Sequence, residues 1–361
     1  MITHSVNSTA AYKDVFEVFG NAVLTIEGEG SVIAEDGYSV YAAGNSKVNL
    51  NGGYYFSPVT TVDARKNAIV TINGGEFKVD GANNSDGDYG RQYTLNLRDK
   101  TGNYAGELAD IIVKGGKFYK YNPAVSESEN PHSNFVAPGF SSVADGDYFV
   151  AKGGLYNEIA LKTAIASGFK QVALDSNIDL TSSLEVSSNL DVNLNGKEIK
   201  CASSDVFVVT NGILTIDGEG LVYGSERNEG NSCAVWVNGA NAKAIIKNGT
   251  YKVGGDIHGT TDQRNDCIYV GKDGGTIEIH GGVFEYTGDV KDGSINDGSR
   301  FLVNQNNDHA TQLITVYGGA FHNFDPAKAK TDEPWMTGGV GSFVADGYSS
   351  VKDENNIYVV K

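Results

Sequence analysis

The sequence is poor in several things, and each shortage removes a class of protein. Proline occurs 6 times and methionine twice in 361 residues, while Gly, Val, Ile, Thr and Tyr are plentiful, a β-rich inventory with many turns and few long helices. Lys and Arg number 28 against 45 Asp and Glu, a formal net charge of −17. No Lys/Arg-rich stripe breaks that balance, which argues against neutralising nucleic-acid phosphates and against adhesion to an anionic membrane surface. The three cysteines, Cys201, Cys233 and Cys267, are odd in number and form no C-x-x-C pair. They read as buried small apolar residues rather than a disulfide framework. No apolar run approaches the ~18 residues of a membrane-crossing helix. Residues 1–20 show no basic stretch followed by an apolar one, so no secretory signal is visible; cytoplasmic synthesis is expected, although a chain trimmed of its signal would read the same. No heptads mark a coiled coil, so monomer and trimer both stand open.

What the sequence has is glycine, 46 residues of it, among short runs of Val, Ile, Thr and Tyr. These runs share a pattern. Val70-Thr71-Ile72-Asn73-Gly74-Gly75-Glu76-Phe77 alternates, turns at glycine and lands on an aromatic. The same outline appears at 48–55, 111–119, 245–251, 277–284 and 314–321. Glycine at a corner admits φ > 0 where a side chain would clash, so a strand ends and another begins at once. Copies at irregular spacings of tens of residues predict a stacked repeat rather than one closed sheet. The aromatics after the corners, Tyr55, Phe77, Phe118, Phe284 and Phe321, are expected to form a ladder along one edge, and Gly74 and Gly281 to hold the φ > 0 conformation.

The repeat is itself repeated. Leu24-Thr25-Ile26-Glu27-Gly28-Glu29-Gly30 returns as Leu214-Thr215-Ile216-Asp217-Gly218-Glu219-Gly220. Each half then shows three corner motifs, an aromatic-Asn/Asp-Pro turn (Tyr121-Asn122-Pro123, Phe324-Asp325-Pro326), and a closing Phe-Val-Ala and Ala-Asp-Gly segment. An internal duplication is expected, with domains at 1–152 and 153–361. The halves differ at their starts. Residues 155–168 form a helix with Leu161, Ala164 and Ile165 on one face, Asn157 as N-cap and Gly168 after the last turn. It suits an end-plug for the second stack, because an open stack exposes an apolar end and unpaired backbone groups. The first half has no such helix. Its open end is left either to a partner chain or to residues 1–20.

A capping helix, short Val/Ile/Leu strands (172–174, 178–180, 184–186, 190–194), Asn195-Gly196-Lys197 and repeated glycine corners resemble the right-handed parallel β-helix of the pectate-lyase-like superfamily. The resemblance covers 155–330 and, by internal similarity, 15–120. It implies an all-β fold of two tandem right-handed parallel β-helix domains with one capping α-helix at the start of the second. The closing segments further resemble β-helical proteins of gut Bacteroidetes and their tailed phages, many of them associated with particles.

That superfamily includes lyases and hydrolases of acidic polysaccharides, whose parts are not evident in this chain. The hydrolases need clustered Asp on adjacent rungs, with Gly-His-Gly and Arg-x-Lys; His258 and His280 stand without those partners. The lyases need a Ca²⁺ site and a base; Arg264-Asn265-Asp266 and Arg65 are isolated candidates. Asp80–Asp88 and Asp289–Gly298 are rich in oxygen ligands, but they lack the EF-hand pattern and read as solvated turns. Arg91 with Asp99 and Arg300 with Asp308 read as a duplicated ion-pair tie. His132 and His309 have no ligand spacing. Trp236 fits the core better than a sugar-stacking role. Trp335 and Met336 sit in a loop and are the candidate subunit contact.

No catalytic residue, cofactor or metal is therefore expected. The expected function is a non-catalytic structural protein of a bacteriophage virion surface, a head decoration, head fibre or tail-associated spike. Its expected partners are other virion proteins, further copies of itself and host-surface polysaccharide. The alternatives are a polysaccharide lyase or glycoside hydrolase acting as a depolymerase tailspike, and a bacterial surface adhesin.

Overall fold

The computed structural model describes residues 2–4, 14–80, 92–98, 105–125, 127–130, 134–224, 232–254, 265–287, 300–306, 308–328 and 341–361. The chain forms two compact units, Met1–Gly154 and Leu155–Lys361. Both are built from short parallel strands, an all-β, solenoid-like arrangement. No helix among the described residues is long and apolar enough to cross a membrane.

In the second unit each circuit of the chain lays one strand on each of three sheets. The first sheet takes Gln171–Ala173, Leu190–Asn193, Gly212–Asp217, Ala242–Ile246, Thr276–Ile279 and Ile314–Val316. The second runs parallel from Ile178–Leu180 to Gly319–His322. The third takes Leu184–Val186, Phe207–Val209, Ser232–Val237, Asn265–Val270 and Arg300–Gln305. Alternation then decides the core. In the first sheet Leu190, Leu214, Ala244 and Ile277 lie in register and are all buried. Each such burial is worth roughly 1.5–3 kcal/mol for a Val, Leu or Ile. The helix is Glu158–Ala166, capped by the Asn157 side chain, which accepts from Ala160 N at 3.0 Å. Its Ala160, Leu161 and Ala164 join the core at the start of the stack.

In the first unit, Lys47–Ser57 and Ile69–Val79 run through their corners as unbroken 11-residue strands. One nine-stranded sheet thus covers both sides of the corner, facing a four-stranded sheet of Phe16–Val18, Tyr38–Ala42, Thr60–Ala64 and Tyr93–Leu97. Ile2–His4 pairs in parallel with Ser31–Ala34, so the N-terminal residues supply part of the first edge. Both units close alike. Phe140–Asp145 with Tyr148–Gly153, and Ser350–Lys352 with Ile357–Val360, form antiparallel hairpins on the last rung.

The corners correct one expectation. The second glycine of each pair has φ > 0, +107° at Gly75 and +102° at Gly282, whereas Gly74 and Gly281 do not. Gly74 is needed for a different reason: a Cβ there would come 2.8 Å from Asn51 O on the rung below, and one on Gly281 would run into Lys247 O. The aromatic ladder forms, but inside the stack rather than along an edge. Tyr55, Phe77 and Phe118 stack at 4.7 and 5.2 Å, and Tyr251, Phe284 and Phe321 at 5.1 and 4.7 Å, all fully buried. Offset stacking of this kind adds about 0.5–1.5 kcal/mol per pair beyond burial. The tyrosine hydroxyls reach back to corner carbonyls, Tyr55 to Gly52 O at 2.8 Å and Tyr251 to Asn248 O at 2.9 Å.

Candidate functional site

In each unit one sheet, the four-stranded sheet of the first and the third sheet of the second, carries a row of mostly polar and aromatic side chains on the face away from the core. Parallel register assembles each row from residues far apart in sequence. In the first unit it is Glu17, Tyr41, Asp63 and Asn96. In the second it is Glu185, Val208, Trp236, Tyr269 and Asn304.

The first-unit row is closed on itself. Asp63 is 1% exposed and held by Arg65, Nε to Oδ1 at 2.6 Å and Nη2 to Oδ2 at 3.1 Å. Asn96 Nδ2 donates to the same carboxylate at 2.9 Å while its Oδ1 accepts from Glu129 N at 2.9 Å. The Arg65 guanidinium lies 5.1 Å from the Tyr41 ring centroid and donates to Tyr38 Oη at 3.3 Å, a cation–π and hydrogen-bonded site. Burial opposes its charge, but the hydrogen bond and charge of Asp63 hold its pKa above the ordinary arginine value. Burial likewise raises the Tyr41 phenol and the Asp14 carboxyl, which accepts from Tyr38 N at 2.8 Å. Asp63, Arg65 and Asn96 thus partner one another, so this part of the row acts as a tie between rungs, while Glu17 at its start is exposed.

The second-unit row is less complete. Val235 and Val237 point into the core, so Trp236 faces outward, against the expectation that it is a core residue. It is half-buried, and its Nε1 is shielded from solvent without a hydrogen-bond partner among the described residues. Gly271 lies beneath it, close enough that a Cβ would meet Nε1 at 2.5 Å. Around it Asn306 Nδ2 donates to Tyr269 Oη at 3.3 Å, Asn304 Nδ2 lies 3.4 Å from both oxygens of buried Asp266, and His309 Nε2 meets Gly271 O at 3.1 Å. The half-buried indole and the half-buried Tyr269 ring beside it can offer an aromatic face to the apolar face of a ligand.

The connections that lead into this third sheet lengthen along the stack: 181–183, 202–206, 224–231, 255–264 and 288–299. Elsewhere in this unit a groove of about 560 Å³ runs between the helix and the edge strand Leu184–Val186, lined in part by Lys162, Ile165 and Phe169. Its cation is occupied: Lys162 Nζ bonds Glu158 Oε1 at 2.6 Å and Ser182 Oγ at 2.8 Å.

The candidates read from sequence fall into three groups. Trp335, Met336, His132, His258, Arg264, Arg91, Asp99 and the Asp289–Gly298 loop lie outside the described residues, as does the loop after Asp80 and the side chain of Arg300. Arg65 is tied to Asp63 rather than isolated, and Asp308 stands 3.6 Å from Lys272 on the surface. His280 stacks on Tyr317 at 4.8 Å and meets Glu278 at 3.3 Å. The three cysteines are free and buried, and burial pushes the thiols of Cys233 and Cys267 well up, away from the thiolate form. Buried Asp205, its pKa raised by burial, accepts from Cys233 N at 2.7 Å. Among the described residues no group of three His, Cys, Asp or Glu side chains is placed to hold a metal ion.

What sequence reading missed is the Asp63–Arg65–Asn96 tie. Asp63 and Asn96 are 33 residues apart and become neighbours only through register. The geometry defines a class, an all-β protein of stacked parallel strands. No protein-family model matches this chain, no curated protein matches it and no solved structure matches it.

Proposed function

We propose that this chain is a non-catalytic structural protein of a bacteriophage virion surface, a head decoration, head fibre or tail-associated spike. In this reading the two units are tandem right-handed parallel β-helix domains, residues 1–152 and 153–361, derived from an internal duplication. The observation that carries the reading is the way side chains are used. In each unit the inward positions feed an apolar core with stacked rings, and in the first unit Asp63, Arg65 and Asn96 are spent on holding rungs together. Such a stack suits a rigid, protease-resistant projection. The phage placement rests on the resemblance of the closing segments, and the net charge of −17 favours solubility at high local concentration. Trp335 and Met336 are the proposed contacts to neighbouring subunits, and the half-buried Trp236 and Tyr269 the proposed contact to host-surface polysaccharide.

Quantitative mass spectrometry of particles purified from the source culture tests this. A fixed ratio to the major shell protein supports a head decoration or fibre, and a few copies per particle support a tail spike. Absence from particles sinks the reading. The polysaccharide lyase or hydrolase alternative draws on the lengthening connections beside the third sheet, and release of unsaturated or reducing ends from a capsular polysaccharide would favour it.

A further inference from the structure

We propose that the outer edge of Val23–Ile26 in the first unit is a docking edge for a parallel β-strand donated by a different protein, apolar at alternate positions and bearing Lys or Arg on and after the strand. The inference stands whether or not the chain belongs to a particle.

The second unit shows what belongs on this edge. There the twin segment Leu214-Thr215-Ile216-Asp217-Gly218-Glu219-Gly220 is covered by Leu190–Asn193, with Leu190 opposite Leu214 and Val192 opposite Ile216. The cover continues through the turn: Leu194 N donates to Asp217 O at 2.9 Å, Gly196 N to Glu219 O at 2.6 Å, and Lys197 lies opposite Gly220. Leu214 and Ile216 are 0% exposed.

In the first unit Val23–Ile26 pairs with Lys47–Ser57 alone among the described residues. Val23 is 66% exposed, Leu24 and Ile26 are half-buried, and Glu27 and Glu29, whose counterparts accept hydrogen bonds, are exposed. Lys47 N donates to Ala22 O at 2.9 Å. Even-numbered residues of this strand therefore turn their peptide groups to the next rung, and Val23, Thr25 and Glu27 turn theirs to the open side. An unpaired strand edge of this kind is a template for β-augmentation.

Charge selects the occupant. Glu27 and Glu29 follow the strand and are exposed, Glu27 Oε1 accepting from Asn51 Nδ2 at 3.1 Å; residues 14–46 hold four further acidic residues and no Lys or Arg, and Lys47 lies opposite Val23 on the paired side. Two copies meeting through this edge would set like charges opposite each other, which is destabilising. A strand flanked by cations is the complement.

The probe is a fluorescein-labelled peptide with the sequence of residues 188–199 carrying Lys in place of Asp191 and Glu198, titrated with the full chain at low salt. Saturable binding is expected by anisotropy. Thr25→Pro, which removes an N–H from the open edge, should weaken it at least tenfold. The pair Glu27→Lys and Glu29→Lys should do the same while leaving the backbone intact, and that pair decides the matter if Thr25→Pro does not fold. A peptide with Ser in place of Leu190, Val192 and Leu194 should not bind. Absence of saturable binding, or binding indifferent to the charge-reversed pair, overturns the proposal. So does a dimer of the chain alone that Thr25→Pro dissociates, because a second copy would then occupy the edge.

Discussion

Leu24-Thr25-Ile26 and Leu214-Thr215-Ile216 are identical in sequence and unequal in structure. The second triplet has a strand on either side and its apolar side chains are buried; among the described residues the first has a strand on one side only, and it is half-open. Local sequence therefore sets which face of a strand is apolar, while its place in the stack sets how much of that face leaves water. The rows on the third sheet teach the same lesson. Equivalent positions became an internally neutralised tie in one unit, around Asp63, and a partly unsatisfied aromatic surface in the other, around Trp236.

The sharpest way to break this comparison is through the ring ladders. Phe77 and Phe284 are each the middle ring of a buried stack. Phe77→Ala and Phe284→Ala should each cost about 3–5 kcal/mol, read as urea unfolding of the affected unit. A large cost in one unit and a small one in the other would end the equivalence of the two cores. Next come the corners. Gly75→Ala and Gly282→Ala force a side chain into φ > 0, with Cβ 3.0 Å from Gly53 O and 2.9 Å from Gly249 O respectively. A loss of about 2–3 kcal/mol is expected for each, and thermal melts insensitive to either change would remove the corner assignment.

The polar rows should respond in opposite directions. Asp63→Asn leaves the part-buried Arg65 without its counter-charge and should cost about 1–3 kcal/mol. Trp236→Phe removes a donor that has no partner, so stability should stay within about 0.5 kcal/mol or rise. A comparably small effect is expected in the first turn of the helix. The Glu158 carboxyl is penalised by burial, yet bonds from Lys162 and Thr181 hold its pKa below the ordinary 4.5. A depressed folded-state pKa contributes stability that is present above the unfolded value and lost as pH falls through the folded one. Glu158→Gln should thus cost roughly 0.5 kcal/mol at pH 7 and nothing at pH 2–3, as measured by denaturant melts of the second unit.

Much of this was legible in the sequence because it is local. Alternation placed the strands around 172–194 within about a residue, Asn157 was identifiable as a cap from its spacing to Leu161 and Ala164, and the glycine corners carry their own signature. Which glycine of a pair takes φ > 0 was not legible, because both are required, one for its dihedral and one for the approach of the rung below. Trp236 was misjudged for a related reason: Ser232–Val237 has buried residues on both faces, so hydropathy alone does not say which face is the core. The Asp63 tie was hidden because the distance between stacked neighbours varies with the connections. Asn45 and Asn67 are 22 residues apart, whereas Asp266 and Asn304 are 38 apart. No fixed period aligns them.

Amide hydrogen exchange of the intact chain, comparing the two Leu-Thr-Ile segments in one experiment, tests the central claim most directly. The account predicts that the Thr215 and Asp217 amides, covered by Leu190–Asn193, exchange orders of magnitude more slowly than those of Thr25 and Glu27, which face the open side. Equal protection of the two segments would contradict it.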